Sequence, residues 1–178
     1  MTAGLDVDRT LEVQPMRRRH LRAVLRIEEA SYPKPWSSTL FLGELAQRAT
    51  RSYFVALLEG RVVGFAGSML TPDGAHVTTV AVDPDHRRTG VATILMCELH
   101  QDARERDCDA MTLEVRASNV GARDLYERFG YVAEGLRRGY YSDNGEDAVI
   151  MWVRSIDSPE HAALLARLRA EAVGGAAP

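Results

Sequence analysis

The amino-acid sequence predicts a mixed α/β fold, with a mostly antiparallel sheet, a central parallel strand pair and flanking helices. Strand-forming runs joined by tight turns stand at both ends of the sheet-forming region, which makes the sheet edges antiparallel. Between them strands alternate with helices, and a strand–helix–strand crossover leaves its two strands parallel. The chain has 178 residues, 46% of them hydrophobic and 26% charged, which suits one core and is too apolar for a disordered chain.

Each element follows from a local pattern. Leu21, Val24 and Leu25 recur at helical spacing behind the basic run Arg17 to Arg19, so a first helix is expected over about residues 17–30. Pro33 and Pro35 forbid its continuation. Ser37 or Ser38 caps a short second helix running to about Arg48, with Leu40, Phe41 and Leu45 as its buried stripe. On this reading two helices precede any strand. Ser52 to Leu58 and Arg61 to Leu70 are strand formers joined by the turn Glu59-Gly60. In Thr71-Pro72-Asp73-Gly74, proline presets one dihedral and glycine supplies a positive one, so a third strand returns over Ala75 to Val82.

A loop over Asp83 to Gly90 then leads into a long helix ending near Asp107, with Ile94, Leu95, Cys97, Leu99 and Ala103 facing inward. Met111 to Val115 alternates as a strand, Val120 to Phe129 is a helix stopped by Gly130, and Tyr131 to Tyr141 turns through Asp143-Asn144-Gly145 into Ala148 to Val153. Ser158-Pro159-Glu160 opens a last helix with serine at the cap and proline in the first turn. Its apolar edge of Ala162, Leu165, Leu168 and Ala172 can pack on this domain or on a second subunit. The expected organisation is an N-terminal extension over 1–11, a folded domain over 12–154, and a C-terminal helix with a short disordered tail, GGAAP, over 155–178.

Composition excludes several function classes. The net charge of -3 gives no support to a nucleic-acid binder, since nonspecific affinity for polyanions comes from clustered cationic charge. Lys34 is the single lysine, a skew towards arginine that fits genome composition better than phosphate recognition. The longest nearly apolar run, Val62 to Leu70, is interrupted by Gly64, Gly67 and Ser68 and is about half a bilayer span. No secretory signal pattern opens the chain, so a cytoplasmic protein without a membrane partner is expected. Cys97 and Cys108 lack metal-ligand spacing and read as buried thiols, with no metal site indicated.

The chemistry begins at Arg87-Arg88-Thr89-Gly90-Val91-Ala92, between the third strand and the long helix. Small residues there let a ligand approach the backbone, and successive free amides at a helix start favour phosphate. Spacing alone fits a phosphate nest and a plain strand-to-helix turn equally well. The segment lacks the G-K-S/T ending of a P-loop and the complete G-x-G-x-x-G of a dinucleotide fold.

The stretch VAVDPDHRRTGVATILM resembles the coenzyme-binding motif of the GCN5-related N-acetyltransferases (GNAT), whose pattern Gln/Arg-x-x-Gly-x-Gly/Ala is matched by Arg87, Gly90 and Ala92. LEVRASNVGARDLYERFGY, LRRGYYSDNGEDAVIM and the element Pro35-Trp36-Ser37 resemble the bacterial RimI-type acetyltransferases that modify the N-terminal alanine of ribosomal proteins. The likeness covers about residues 12–153. It implies the GNAT fold, acetyl-CoA as cosubstrate and a protein N-terminus as acceptor. It further implies that the backbone of Val80, Ala81 and Val82 pairs with the pantetheine arm. The amides from Arg88 through Thr89, Gly90, Val91 and Ala92 to Thr93 would hold the pyrophosphate, and Asn119 would hydrogen-bond the coenzyme. Ala92 stands where glycine is commoner, which slightly restricts backbone approach.

Acyl transfer to an amine needs a neutral nucleophile, a stabilised oxyanion and a proton for the departing thiolate. An α-amino group titrates at about 7.7 to 8.0, so a base assists at neutral pH. In the alternating strand Glu114 points away from Met111, Leu113 and Val115, which by pattern alone fits a solvent-facing side chain; Tyr126 by pattern alone fits the core with Leu125 and Phe129. The resemblance implies instead that Glu114 accepts the proton, working through water, and that Tyr126 protonates the thiolate. The strand end at Val82 is the expected backbone donor to the oxyanion. Tyr32 to Trp36 and Arg138-Gly139-Tyr140-Tyr141 are aromatic-rich candidates for gripping a peptide, so Tyr32, Trp36, Arg138, Tyr140 and Tyr141 are the expected substrate contacts. Glu28 and Asp147 are carboxylates able to attract a basic peptide. The expected activity is therefore acetylation of the N-terminal alanine of a small-subunit ribosomal protein. The alternatives are acetylation of lysine or a small amine, and a non-catalytic acyl-CoA-binding module; retention of both Glu114 and Tyr126 speaks against the last.

Overall fold

The computed structural model describes residues 10–174. Seven strands are present: β1 (Leu11–Pro15), β2 (Arg51–Leu58), β3 (Arg61–Thr71), β4 (Gly74–Val82), β5 (Ala110–Arg116), β6 (Val132–Tyr141) and β7 (Glu146–Arg154). Five helices accompany them: α1 (Leu21–Ser31), α2 (Ser38–Ala46), α3 (Val91–Glu105), α4 (Val120–Arg128) and α5 (Pro159–Gly174). The strands form one sheet in the order β1-β2-β3-β4-β5-β7-β6. Only β4 and β5, at its centre, are parallel; every other neighbouring pair is antiparallel. This is the predicted mixed α/β architecture.

The sheet separates two apolar layers. On one face Leu21, Val24 and Ile27 of α1 and Phe41 of α2 pack with Tyr53, Val55 and Phe65. The Phe41 ring lies between Trp36, Tyr53 and Phe65, at centroid distances of 5.3, 6.5 and 5.7 Å. On the other face α3 buries Leu95, Met96, Leu99 and Ala103 against Ala66, Val77, Met111 and Leu113. Each buried Val, Leu, Ile, Phe or Met among them contributes about 1.5 to 3 kcal/mol relative to exposure.

The last helix packs on this same chain, the first of its two expected placements. Leu165 and Leu168 join the α3 core. The His100 and His161 imidazoles meet at 2.8 Å and the Tyr131 hydroxyl lies 3.2 Å from His100, so the contact carries a buried polar chain as well as apolar area. Cys97 and Cys108 are both buried, as expected, and burial pushes the Cys97 thiol up to about 11.

Three local expectations are corrected. A strand, β1, precedes the helices: Leu11, Glu12, Val13 and Gln14 alternate apolar and polar, but the run is only five residues long and is held as a strand by its pairing with β2. The first helix starts at Leu21, after a 3-10 turn over Arg18–His20 in which His20 Nδ1 accepts a hydrogen bond from the Arg17 amide. Leu40 is 41% exposed, because α2 is short and turns only Phe41 fully inward. Of the tail GGAAP, Gly174 closes α5 and the rest lies outside the described residues.

The feature that matters for function is the central pair. β4 and β5 are bonded only at Ala75↔Met111 and His76↔Thr112. Beyond these residues the strands diverge towards Val82 and Arg116, leaving a slot at their carboxyl ends.

Candidate active site

Two cavities enter the slot from opposite sides, and the residues lining both are Val80, Ala122 and Tyr126. The first has a volume of about 630 Å³ and is walled by the end of β4 and the loop before α3. The second, of about 580 Å³, is walled by side chains from α1, the proline loop, β4, β5 and the β6–β7 hairpin.

The first cavity takes most of its lining from the end of β4 and the loop that follows, and the rest from α4 and α5. Val80, Ala81 and Val82 line it together with Arg87, Arg88, Thr89, Gly90, Val91, Ala92 and Thr93, all ten of the residues singled out on β4 and its loop. Gly90 sits in the left-handed region at φ 85° and is the N-cap of α3, with no side chain capping the first-turn amides. Arg88 is also left-handed, at φ 61°, and the Thr89 hydroxyl donates to the His86 carbonyl, which pins the loop. The β4 backbone is not wholly free, because the Tyr32 hydroxyl donates to the Val80 carbonyl at 2.6 Å.

The second cavity is built from side chains. Glu114 and His76 emerge on one face of the parallel pair, and His76 Nε2 lies 3.0 Å from Glu114 Oε2. Arg137 of β6 approaches the other carboxylate oxygen at 3.5 Å. The hydrogen bond from His76, then the positive charge of His76 and Arg137, hold the Glu114 carboxyl below the usual range against the opposing effect of burial. Glu114 therefore faces the slot, with its side chain only 15% exposed, rather than open solvent. His76 was not among the residues the sequence singled out.

Tyr126 stands at the junction of the two cavities, and its ring packs at 5.9 Å from that of Tyr131. Burial, then the neighbouring Tyr32 and Tyr141, pushes its hydroxyl well above the usual phenol range, so it is protonated throughout the neutral region. Asn119 lines the second cavity and spends its side-chain oxygen on the Ala122 amide at 3.2 Å, capping α4.

Four of the five expected substrate contacts converge on the second cavity: Tyr32, Trp36, Tyr140 and Tyr141 line it. Arg138 does not line it; it is exposed on the edge strand, and its neighbour Arg137 reaches Glu114 instead. Strand alternation explains the exchange, since adjacent residues point to opposite faces. Asp147 also stays out, accepting from the Gly139 amide at 2.8 Å within the hairpin. Glu28 is 2% exposed, lines the cavity, accepts from the Trp36 amide through Oε1 and leaves Oε2 without a partner among the described residues. Burial pushes its carboxyl up. Lys34 donates to Ser142 at 2.7 Å, linking the proline loop to the hairpin. Among the described residues no cluster of three or more His, Cys, Asp or Glu could hold a metal ion, and no helix is long and apolar enough to cross a membrane.

A sheet opened between its parallel strands, with an uncapped helix start at the opening, is shared with known acetyltransferases. Residues 21–131 match the family model of the acetyltransferase (GNAT) family. The chain belongs to that family. It is 35% identical over 133 residues to the ribosomal protein bS18-alanine N-acetyltransferase of Escherichia coli K12, covering 74% of this chain and 88% of that protein. A Bacillus subtilis strain 168 protein, provisionally named for the same activity, is 36% identical over 141 residues, covering 79% of this chain and 93% of the relative. The crystal structure of the Escherichia coli ribosomal-protein-S18-alanine N-acetyltransferase superposes with a TM-score of 0.75 at 32% identity, covering 82% of this chain and 94% of that one.

Proposed function

We propose that the protein transfers acetyl from acetyl-CoA to the α-amino group of a protein N-terminus, with the N-terminal alanine of ribosomal protein bS18 as the favoured acceptor. The observation that carries this reading is the position of Tyr126, where a backbone-lined cavity and a side-chain-lined cavity meet with Glu114 on the far side. The relatives named above support the choice of acceptor.

The first cavity fits the coenzyme. Its helix-start amides and the small residues Gly90, Ala92, Gly121 and Ala122 suit a diphosphate that must approach the main chain. Val80 to Val82 would hold the pantetheine arm, and the residues from Arg87 to Thr93 the phosphates. When bound, acetyl-CoA supplies an activated acetyl thioester.

The remaining work falls to this chain's own groups. The Tyr and Trp side chains of the second cavity would enclose the first residues of the acceptor and exclude water. Glu28, with one unpartnered oxygen, would orient a donor on the peptide. Glu114 accepts the proton of the attacking amine through water. Its depressed pKa keeps it charged but makes it a weak base, so the reaction draws on the fraction of amine already neutral near pH 8. His76 fixes the carboxylate's direction. The Tyr126 hydroxyl, kept protonated by burial, supplies the proton that the departing thiolate needs, and the backbone at Val82 is the proposed donor to the oxyanion.

The test is thiol release from acetyl-CoA with two peptides of matched composition, one with a free N-terminal alanine and one blocked at its N-terminus with an internal lysine. Turnover of the first alone, lowered in Glu114→Gln and Tyr126→Phe, is the expected result. Turnover of the lysine peptide alone would transfer the acceptor to side-chain amines and overturn the reading.

A further inference from the structure

Helix α5 lies outside the segment matched by the family model, yet its last turn reaches the coenzyme-side cavity. Glu171 and Ala172 line that cavity together with the loop before α3. A Cβ placed on Gly90 would lie 2.9 Å from the Ala172 carbonyl oxygen and 3.1 Å from its Cβ, so the two backbones are already in close approach. Arg128, at the end of α4, donates to Glu171 at 3.1 Å, and Arg167 lies 3.7 Å from the other oxygen of the same carboxylate. The Arg128–Glu171 pair is half exposed, with side chains 48% and 51% accessible, so each partner can exchange the other for a ligand.

The electrostatics at this point are the reverse of what an anion site wants. The last carbonyls of a helix lack intrahelical partners and form the negative end of its dipole. Here that end, and a carboxylate beside it, stand against a loop whose amides are arranged for phosphate. We propose that Glu171 stands in for a coenzyme phosphate on Arg128, so that Arg128 is a coenzyme-binding residue and the last turn of α5 is a latch that the coenzyme displaces. The inference rests on acetyl-CoA occupying this cavity, as proposed above. Leu165 and Leu168, buried 7 to 10 residues into the helix, anchor α5 to α3, so that displacement involves the terminal turn alone. The shared chemistry is a phosphate monoester or diester oxygen, which the coenzyme offers both as its 3′-phosphate and as its diphosphate.

Calorimetric titration with coenzyme A tests the latch on the wild-type chain, a chain ending at Ala170, Glu171→Gln and Arg128→Gln. The shortened chain and Glu171→Gln are expected to bind about two- to fivefold more tightly, the scale of an exposed ion pair. Arg128→Gln should bind about three- to tenfold more weakly, and adding Glu171→Gln to it should gain nothing further. Loss of the Arg128→Gln effect with dephospho-coenzyme A assigns Arg128 to the 3′-phosphate; persistence assigns it to the diphosphate. Amide exchange over residues 169–174 should quicken when coenzyme A is added, a response a merely structural helix end would not give. Unchanged or weaker binding by the shortened chain overturns the latch while leaving the coenzyme reading intact. Absence of binding by every form overturns both.

Discussion

The two cavities that meet at Tyr126 are made in different ways. The proposed coenzyme side takes most of its lining from one stretch of chain, Val80 to Thr93, and the rest from α4 and the end of α5. The acceptor side collects side chains from α1, the proline loop, β4, β5 and the β6–β7 hairpin. A main-chain site depends on dihedral angles and the absence of bulk, whereas a side-chain site depends on where distant elements come to rest. Along Val80 to Thr93 the first is sensitive above all to backbone freedom; the second is sensitive above all to its side chains.

Tyr126 belongs to both halves, and changing it tests whether they work as one site. Tyr126→Phe should lower kcat by about 100-fold or more while leaving the KM for acetyl-CoA nearly unchanged, since the ring still fills the junction and only the proton is lost. Steady-state thiol release measures this; a kcat within a few-fold of wild type would separate the junction from the chemistry.

The coenzyme half should fail through its backbone. Gly90 holds φ 85°, where a Cβ is strained, so Gly90→Ala should weaken coenzyme A binding by about tenfold and leave the peptide KM unchanged. Repeating the titration in the chain ending at Ala170, where the contact with Ala172 is gone, isolates the strain from the collision.

The acceptor half should fail through its charges. His76 is the leading cause of the lowered Glu114 pKa, so in His76→Ala that pKa rises. Protonated Glu114 cannot accept a proton; beneath the limb that the amine sets near pH 8, wild-type kcat/KM should therefore steepen again only below the ordinary carboxylate value of 4.5, and this second step should move to higher pH in the variant. The rate at neutral pH should fall about three- to tenfold through lost orientation. A pH–rate profile whose second step does not move would remove His76 from the proton path. The smallest effect is expected at Trp36, which lines the acceptor cavity: Trp36→Ala should raise the peptide KM about fivefold, roughly 1 kcal/mol of contact, with the acetyl-CoA KM untouched.

The same division explains what could be read in advance. The turn from Arg87 to Ala92 was legible because its residues are consecutive and its physical requirement, glycine at a helix start, is local; spacing alone left its ligand open, and the family resemblance supplied it. Glu114 was ambiguous: alternation told which way it points relative to Leu113, but not that a slot rather than solvent lies on that side. His76 left no sequence signal, because its meaning depends on the register His76↔Thr112, which brings it beside Glu114 on the same face. Arg138 and Arg137 could not be told apart, since a bulged edge strand between Arg137 and Tyr141 shifts which residue faces the cavity. β1 was missed because its alternation runs over only five residues, too short to stand out until β2 offers its edge.

What the sequence by itself determined, then, is whatever depends on neighbours along the chain: the periodicity that sets helices and strands, the proline and glycine turns, the serine cap of α2, the glycine at the start of α3 and the mixed α/β class. Only the tertiary structure decided the slot between β4 and β5, the Glu114–His76 contact, the enclosure of the acceptor cavity and the seat of α5 against Gly90. Hydrogen-bonding geometry and dihedral preference act over a few residues, so a sequence displays them directly. The distance between two side chains 38 residues apart is set by strand register and packing, which no local pattern encodes.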